Sequence, residues 1–489
     1  MWHASCCATR TRTPRPPGSR PSHRHVSGSD KEMENMARPV IGRRPTAEEV
    51  LASLGDVRRV RVETPDLNGA LRGKYVAVEK LRSGKPVALP EVYLALDVDE
   101  DLVPAPVSEE RTGYPDILIA PDWSTARAMP HEPGVVAVVG DGLTKAGDRH
   151  PQHPRSVLRN VIDRAAGHGY EAVFGVEYEF WAFRDGAESD AARRVGDLSG
   201  MTPLSYTRQG YSMLRWADHA AFADDLEASS QAYGVPIETL MTEIGNGQLE
   251  AALAPAPALE AADMAARFKL LVRDVARRHG MYITFMAKLV PEQQGTSGHL
   301  HQSLLRDGRN AFWDGAPGRL SAAGLGYAAG LLRATRDCAA FFAPYPNSYR
   351  RYVPGHWAPL QLSWGWDDRN SAVRAITLSA SATRFEQRRS GSDLQPYLAI
   401  AACIAGGVDG ILAQRDPGPP GEPLTSMPLP ADLRAAAALL RGSALARDWL
   451  GDELVELYAA SRDDEQRVYD QLARAHIPAW EIRRYFEVV

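Results

Sequence analysis

Four short runs place chemistry-bearing side chains at strand spacing. Gly175-Val176-Glu177-Tyr178-Glu179-Phe180 sets two carboxylates at i and i+2 between aromatic neighbours. In a strand, such residues share one face. Glu243-Ile244-Gly245-Asn246-Gly247-Gln248-Leu249-Glu250 puts two more carboxylates around a glycine-rich turn. Gly298-His299-Leu300-His301-Gln302-Ser303 repeats the spacing with two imidazoles, and Arg384-Phe385-Glu386-Gln387-Arg388 with a carboxylate and a guanidinium. Taken singly, each run also reads as an ion-paired strand face, a surface loop or a pair of structural histidines. Taken together, they suit two octahedral Mg²⁺ or Mn²⁺ ions, because adjacent carboxylates repel unless a cation separates them. Zinc favours Cys and His in tetrahedral sites and fits the set less well. Arg350, Arg351, Arg369 and Arg374 lie between the third and fourth runs. Hard cations together with guanidinium groups are what a phosphoryl-transfer site needs. The chain has no GxxxxGK[ST] loop, so a nucleotide must be held another way.

Positioning those side chains requires strands and helices in alternation. Val173 to Phe183 and Leu300 to Leu305 read as strands, as does Tyr282 to Leu289. Ser156 to His168 reads as a helix ended by Gly169, and Ala261 to His279 as a helix ended by Gly280. Upstream, Thr46-Ala47-Glu48-Glu49 is a capping-box start. Val60 to Glu63 and Lys74 to Val78 read as strands around the turn Pro65-Asp66-Leu67-Asn68-Gly69. The region from Ala431 onward is expected to be largely helical, beyond the loop Asp416-Pro417-Gly418-Pro419-Pro420-Gly421.

The 489 residues carry 56 basic and 61 acidic side chains, a balance that makes no electrostatic case for a nucleic-acid partner. With 10 Trp, 17 Tyr and 11 Phe, the bulk of the chain is not disordered. Residues 1–29 differ: they hold five Arg, no Asp or Glu, and many Pro and Ser. They read as a disordered tail, or as upstream sequence outside the working protein, since Met33 and Met36 follow. The four cysteines, Cys6, Cys7, Cys338 and Cys403, form no CxxC pair, and a reducing cytoplasm is expected. Ala399 to Ala413 is apolar but too short, at about 15 residues, to span a membrane, which takes about 20.

In order and spacing these runs resemble the glutamine synthetase family, over residues of about 46 to 489. Arg72-Gly73-Lys74, Tyr114-Pro115-Asp116 and Pro121-Asp122 add to the likeness, as do the flap-like run from Asn347 to Gly355 and Trp480-Glu481 with Tyr485. The resemblance implies an α+β fold. A small N-terminal β-grasp domain, residues 45–145, would precede a catalytic domain, residues 146–489, with a curved antiparallel sheet flanked by helices. Residues 1–44 would be a disordered basic tail. The resemblance also implies site roles. Glu179, Glu243 and Glu250 match the ligands of one metal, and Glu177, His299 and Glu386 those of the other. Gly295, Arg351 and Arg388 match glutamate-binding positions. Arg369 and Arg374 match arginines facing the transferred phosphate. His301, Ser303 and Arg384 match positions near the nucleotide. ATP would convert glutamate to γ-glutamyl phosphate, which an amine attacks. The family's stacked rings imply a homo-oligomer, a dodecamer, with sites between neighbouring subunits.

The sequence departs from ammonia-using members at the amine side. They carry a Glu shortly after the flap Pro-Gly; here Pro354-Gly355-His356 is followed by Trp357, whose indole has only an N–H donor and cannot act as a base. Their Asp-Gly-Ser-Ser run is replaced by Leu96-Asp97-Val98-Asp99-Glu100. Gln294 stands where Asn is usual, and the stretch from Gln414 to Met427 has no Tyr for adenylylation. The expectation is therefore an ATP-dependent ligase joining glutamate to an organic primary amine, ethanolamine or a polyamine. Trp357 would form part of the amine pocket, and Asp97, Asp99 or Asp116 would supply the base. An ordinary ammonia-using glutamine synthetase and a non-catalytic relative are the alternatives.

Overall fold

Two sheets organise the chain. In this computed structural model, residues 45–489 are described except 209 and 473–478, so the expected tail at 1–44 lies outside the described residues, as does the side chain of Trp480. The first sheet has six strands: β1 (Arg59–Pro65), β2 (Leu71–Ala77), β3 (Val87–Pro90), β4 (Asp116–Pro121), β5 (Arg127–Ala128) and β6 (Val135–Leu143). Their order is β2-β1-β6-β4-β3, with β5 beside β6. β1 pairs antiparallel with β2 and parallel with β6. The capping box at Thr46 is present, with Glu49 as its partner.

The second sheet has ten strands: β7 (Glu171–Arg184), β8 (Ile237–Thr242), β9 (Gln248–Leu253), β10 (Ala256–Pro257), β11 (Met281–Thr284), β12 (Leu300–Arg306), β13 (Arg309–Asn310), β14 (Trp364–Trp366), β15 (Val373–Ile376) and β16 (Arg384–Gln387). The main path runs β14-β15-β16-β12-β7-β9-β8. β7, at 14 residues, is its spine and also pairs with β10 and β11. Tyr282 to Leu289 is strand only as far as Thr284. Beyond it the backbone bonds elsewhere: Phe285 N–H donates to Val489 and Lys288 N–H to the Asn347 side chain.

Long helices cover the sheets: α1 (Pro154–Gly167), α2 (Ala258–Arg278), α3 (Ala322–Asp337), α4 (Pro396–Leu412) and α5 (Asp452–Leu472). α4 is the apolar stretch that falls short of a membrane span; it lies buried against α3. Gly330 and Gly406 let the two backbones touch, since a Cβ on Gly330 would sit 1.9 Å from the Gly406 carbonyl. No helix among the described residues is long and apolar enough to cross a membrane. Both described cysteines, Cys338 and Cys403, are buried and free.

The alternation along β7 decides what faces where. Phe174, Val176, Tyr178 and Phe180 are fully buried on one side. Tyr178 stacks on Phe268 of α2 with ring centroids 6.0 Å apart, and Phe180 meets Phe285 at 5.5 Å. That aromatic layer sends Glu177 and Glu179 to the other side.

Candidate active site

The strand registers bring the four runs onto one sheet face. Glu179 on β7 lies directly opposite Glu250 on β9. His301 on β12 lies opposite Glu386 on β16, which in turn lies opposite Arg374 on β15. Glu177 and Glu179 each donate a backbone N–H toward the β12 side, to the carbonyls of His299 and Ser297 at 3.0 and 2.9 Å. Like charges opposite one another destabilise a sheet, so the Glu179–Glu250 pair has no rationale as a structural contact.

Two clusters with the dimensions of ion sites result. Ligand atoms of Glu179, Glu243 and Glu250 lie within 4.8 Å of one another, and so do those of Glu177, His301 and Glu386. His299 also belongs to the second cluster, with its Nδ1 3.3 Å from both Glu177 and Glu386. The structure thus brings His301 to the carboxylates as well as to Arg384, which donates to its Nδ1 at 3.0 Å.

The electrostatics of the clusters differ. Burial, then the charge of Glu243, pushes the Glu179 carboxyl up to about 7. Burial, then Glu179, Glu177 and Glu243, pushes Glu250 to about 10. Burial also raises Glu243. In the second cluster burial is outweighed. His301 and His299 draw Glu177 down, and both histidines with Arg388 hold Glu386 at about 2. Burial and Arg388 lower His299, which favours its neutral, ligating form. The donor set of hard oxygens and one or two imidazoles, short of positive charge at Glu179, Glu243 and Glu250, fits divalent cations.

Of the remaining expected residues, Arg374 and Arg388 bond Glu386 of the second cluster, and Arg351 reaches Glu179 of the first through Ser297. Arg351 is buried and donates to the Ser297 hydroxyl at 2.9 Å; Ser297 N–H in turn donates to Glu179 at 2.8 Å. Gly295 is pressed against Arg351: a Cβ there would lie 2.5 Å from the Arg351 Cγ and 2.6 Å from the Ala287 carbonyl. Arg388 is bonded to Glu386 and, at 3.1 Å, to the Arg369 carbonyl. Arg374 donates to Glu386 at 2.9 Å and to Asp367 at 2.9 Å, while the Arg369 residue is exposed. Ser303 donates to the Thr383 carbonyl beside Arg384. Trp357 is 57% exposed on the flap-like segment, with φ at +60°.

Asp97 has a different occupation from the one expected. One carboxylate oxygen accepts the backbone N–H groups of Asp99 and Asp101 at 2.8 and 2.9 Å; the other accepts from Arg484 at 2.7 Å. Arg484 also bonds Asp99 and Glu465. Asp97 therefore braces the C-terminal segment through Arg484. Asp116 is exposed at the start of β4.

Several neighbours of the clusters were given no role by the sequence. Gln248 bridges Glu179 and the Gly295 carbonyl at 3.0 and 2.9 Å. Its neighbour on the turn, Gly245, has no room for a Cβ beside Trp181 and Gln248. Tyr211, at φ +59°, has a hydroxyl pKa raised by burial, then by Glu243 and Glu250, which places it in the field of the first cluster. Lys288 and His356 meet at the flap. Only a three-dimensional arrangement identifies these residues.

Two carboxylate clusters of this spacing on one sheet face have the dimensions and charge of sites for divalent cations. Residues 151–485 match the model of the glutamine synthetase catalytic domain, and the chain belongs to the glutamine synthetase family. It is 36% identical to a γ-glutamylethanolamide synthetase of Streptomyces coelicolor, over 92% of this chain and 98% of that one. It is 32% identical to a glutamate–isopropylamine ligase of a Pseudomonas species, over 89% of this chain and 96% of the relative. Identity to type-1 glutamine synthetase 2 of Dictyostelium discoideum is 34%, over 88% and 84%. Among solved structures, a GmaS complex with ADP superposes with a TM-score of 0.74 at 25% identity, covering 90% of this chain and 99% of that chain.

Proposed function

We propose that the protein forms a γ-glutamyl amide from glutamate and a short organic primary amine, at the expense of ATP and through γ-glutamyl phosphate. The observation that carries this reading is the exposed indole of Trp357 on the flap, where ammonia-using members of the family carry a Glu. An aromatic face accommodates the carbon tail of an amine and attracts its ammonium by a cation–π contact. The glutamate–amine ligases among the relatives support the reading.

Asp97, Asp99 and Glu100 are the acidic groups that would seat the distal ammonium of a polyamine. The first two are paired with Arg484, and Glu100 with Arg72 at 2.5 Å. That pairing favours ethanolamine or another short amine over putrescine or spermidine.

In this reading Glu179, Glu243 and Glu250 hold one Mg²⁺ or Mn²⁺, and Glu177, His299 and Glu386 the other. When bound, such ions neutralise the phosphate oxygens during transfer. Gly295, Arg351 and Arg388 orient glutamate. Arg369 and Arg374 face the transferred phosphate, and His301, Ser303 and Arg384 lie toward the nucleotide. Residues 45–145 and 146–489 act as separate domains in a ring assembly, as the family pattern implies.

The test is ATP-dependent phosphate release with glutamate and Mg²⁺ across ammonium, methylamine, ethanolamine, isopropylamine, putrescine and spermidine, with products identified by mass spectrometry. Best turnover is expected with a short organic amine. Best turnover with ammonium would refute the reading.

A further inference from the structure

Trp357 leaves the attacking amine without the carboxylate that would take its proton. An alkylammonium ionises near the lysine value of about 10, so the reaction needs an acceptor. The residue beside Trp357 meets a buried lysine: Nδ1 of His356 lies 2.8 Å from Nζ of Lys288. Lys288 is 2% exposed, and its amino group also donates to the Gln293 carbonyl. Its backbone is clamped on both sides by the Asn347 amide, at 2.9 and 2.8 Å. Lys288 follows Ala287, whose carbonyl lies against Gly295. The pair therefore belongs to the same wall as Gly295 and Arg351. Among the described residues no hydrogen bond engages Nε2 of His356, so that nitrogen is available to a substrate.

We propose that His356 and Lys288 form a two-step proton relay that deprotonates the attacking amine in place of the absent flap carboxylate. The proposal rests on the ligase reading above. The substrate N–H bond breaks as Nε2 of His356 takes the proton. The Nδ1–H of His356 passes to the neutral amino group of Lys288, which becomes an ammonium. The freed amine then attacks the γ-carbonyl of γ-glutamyl phosphate. The C–N bond forms, the C–O bond to phosphate breaks, and the second proton of the new C–N nitrogen leaves with the phosphate.

The surroundings favour neutral partners. Burial, then the Arg351 guanidinium, lowers Lys288 to about 8, with Glu292 acting weakly the other way. Burial, then Lys288 and Arg208, lowers His356. A base near 8 suits work at neutral to mildly alkaline pH. Asp97 and Asp99 are both engaged by Arg484, which leaves Asp116 as the competing acceptor.

The experiment compares wild type with His356→Asn, Lys288→Met and Asp116→Asn, using the best organic amine and, separately, hydroxylamine, which is neutral at the assay pH. Wild-type turnover with an organic amine comes first. Its failure would sink the ligase reading, whereas the relay is judged only by the variants. His356→Asn and Lys288→Met are expected to lose about 10²–10⁴-fold with the alkylamine and under about tenfold with hydroxylamine. The wild-type rate should level off above a pH of about 8, set by Lys288. In Lys288→Met it should keep climbing toward the ionisation of the amine itself, about 10. Equal losses with both amines would mean that the pair only shapes the pocket, and would overturn the relay. So would a loss confined to Asp116→Asn.

Discussion

Three carboxylates converge in each of two places, and the two convergences are opposite in design. Asp122, Asp141 and Asp263 meet on the guanidinium of Arg155, which is fully buried. Arg155 outweighs burial and holds Asp122 and Asp141 below the usual carboxylate range. Glu179, Glu243 and Glu250 also converge, but among the described residues none of them forms an ion pair with a Lys or Arg, and Glu179 and Glu250 are driven up to about 7 and 10. Where the chain supplies its own cation, buried carboxylates are a brace. Where it does not, they have the spacing and the excess negative charge to receive a cation from outside.

The sharpest way to break this contrast is to substitute one group in each cluster. Glu250→Gln should lower ligase activity and divalent-metal affinity by more than about 100-fold, since even outer-shell changes cost 10–100-fold. Mn²⁺ titration monitored by thermal unfolding checks it. The same change should leave the metal-free protein at pH 8 as stable as wild type or more so, because a carboxyl held near 10 must take up a proton to be buried at that pH and an amide need not. Arg155→Met should do the reverse. It should lose about 3–5 kcal/mol of stability by stranding buried carboxylates, as a shift in denaturant midpoint, and metal should not repair it.

A pH series sharpens the comparison further. The folded Glu179 carboxyl sits near 7 against 4.5 for an ordinary Glu. Its contribution is fully present below about 4.5 and is lost as pH rises through about 7. Metal-free protein should therefore lose about 1.4 kcal/mol per pH unit per excess bound proton over that window. Saturating Mg²⁺ should flatten the slope; an unchanged slope would mean that the cluster is not where the ion binds. The smallest effect belongs to the flap. Trp357→Ala should raise the KM of the organic amine by about 2–30-fold, the equivalent of 0.5–2 kcal/mol of lost cation–π contact, while the KM of glutamate stays within about twofold.

What was legible in the sequence follows the same division. The alternation of Tyr178 and Phe180 with Glu177 and Glu179, and its echo in His299, His301 and Glu386, is local and periodic. It located the sheet face and the metal-sized clusters without coordinates. The helix ends at Gly169 and Gly280 were legible for the same local reason, and both glycines adopt positive φ. Residues brought together by loops were not legible. Asp97 looked like a free acid because its partner Arg484 lies 387 residues away. Lys288 looked like a strand residue, but beyond Thr284 the backbone bonds Val489 and the Asn347 side chain instead of a neighbouring strand. Tyr211 and Trp357 take left-handed backbone angles that no propensity assigns to aromatic residues.

The aromatic layer behind β7 has a consequence for how the protein is made. A slip of one residue in the pairing of β7 would turn Glu177 and Glu179 into the space of Tyr178 and Phe180, against Phe268 and Phe285. Each misplaced carboxylate would then be stranded in hydrocarbon, a penalty of several kcal/mol per ion. The same two carboxylates that face the clusters would thus weigh against a misaligned strand.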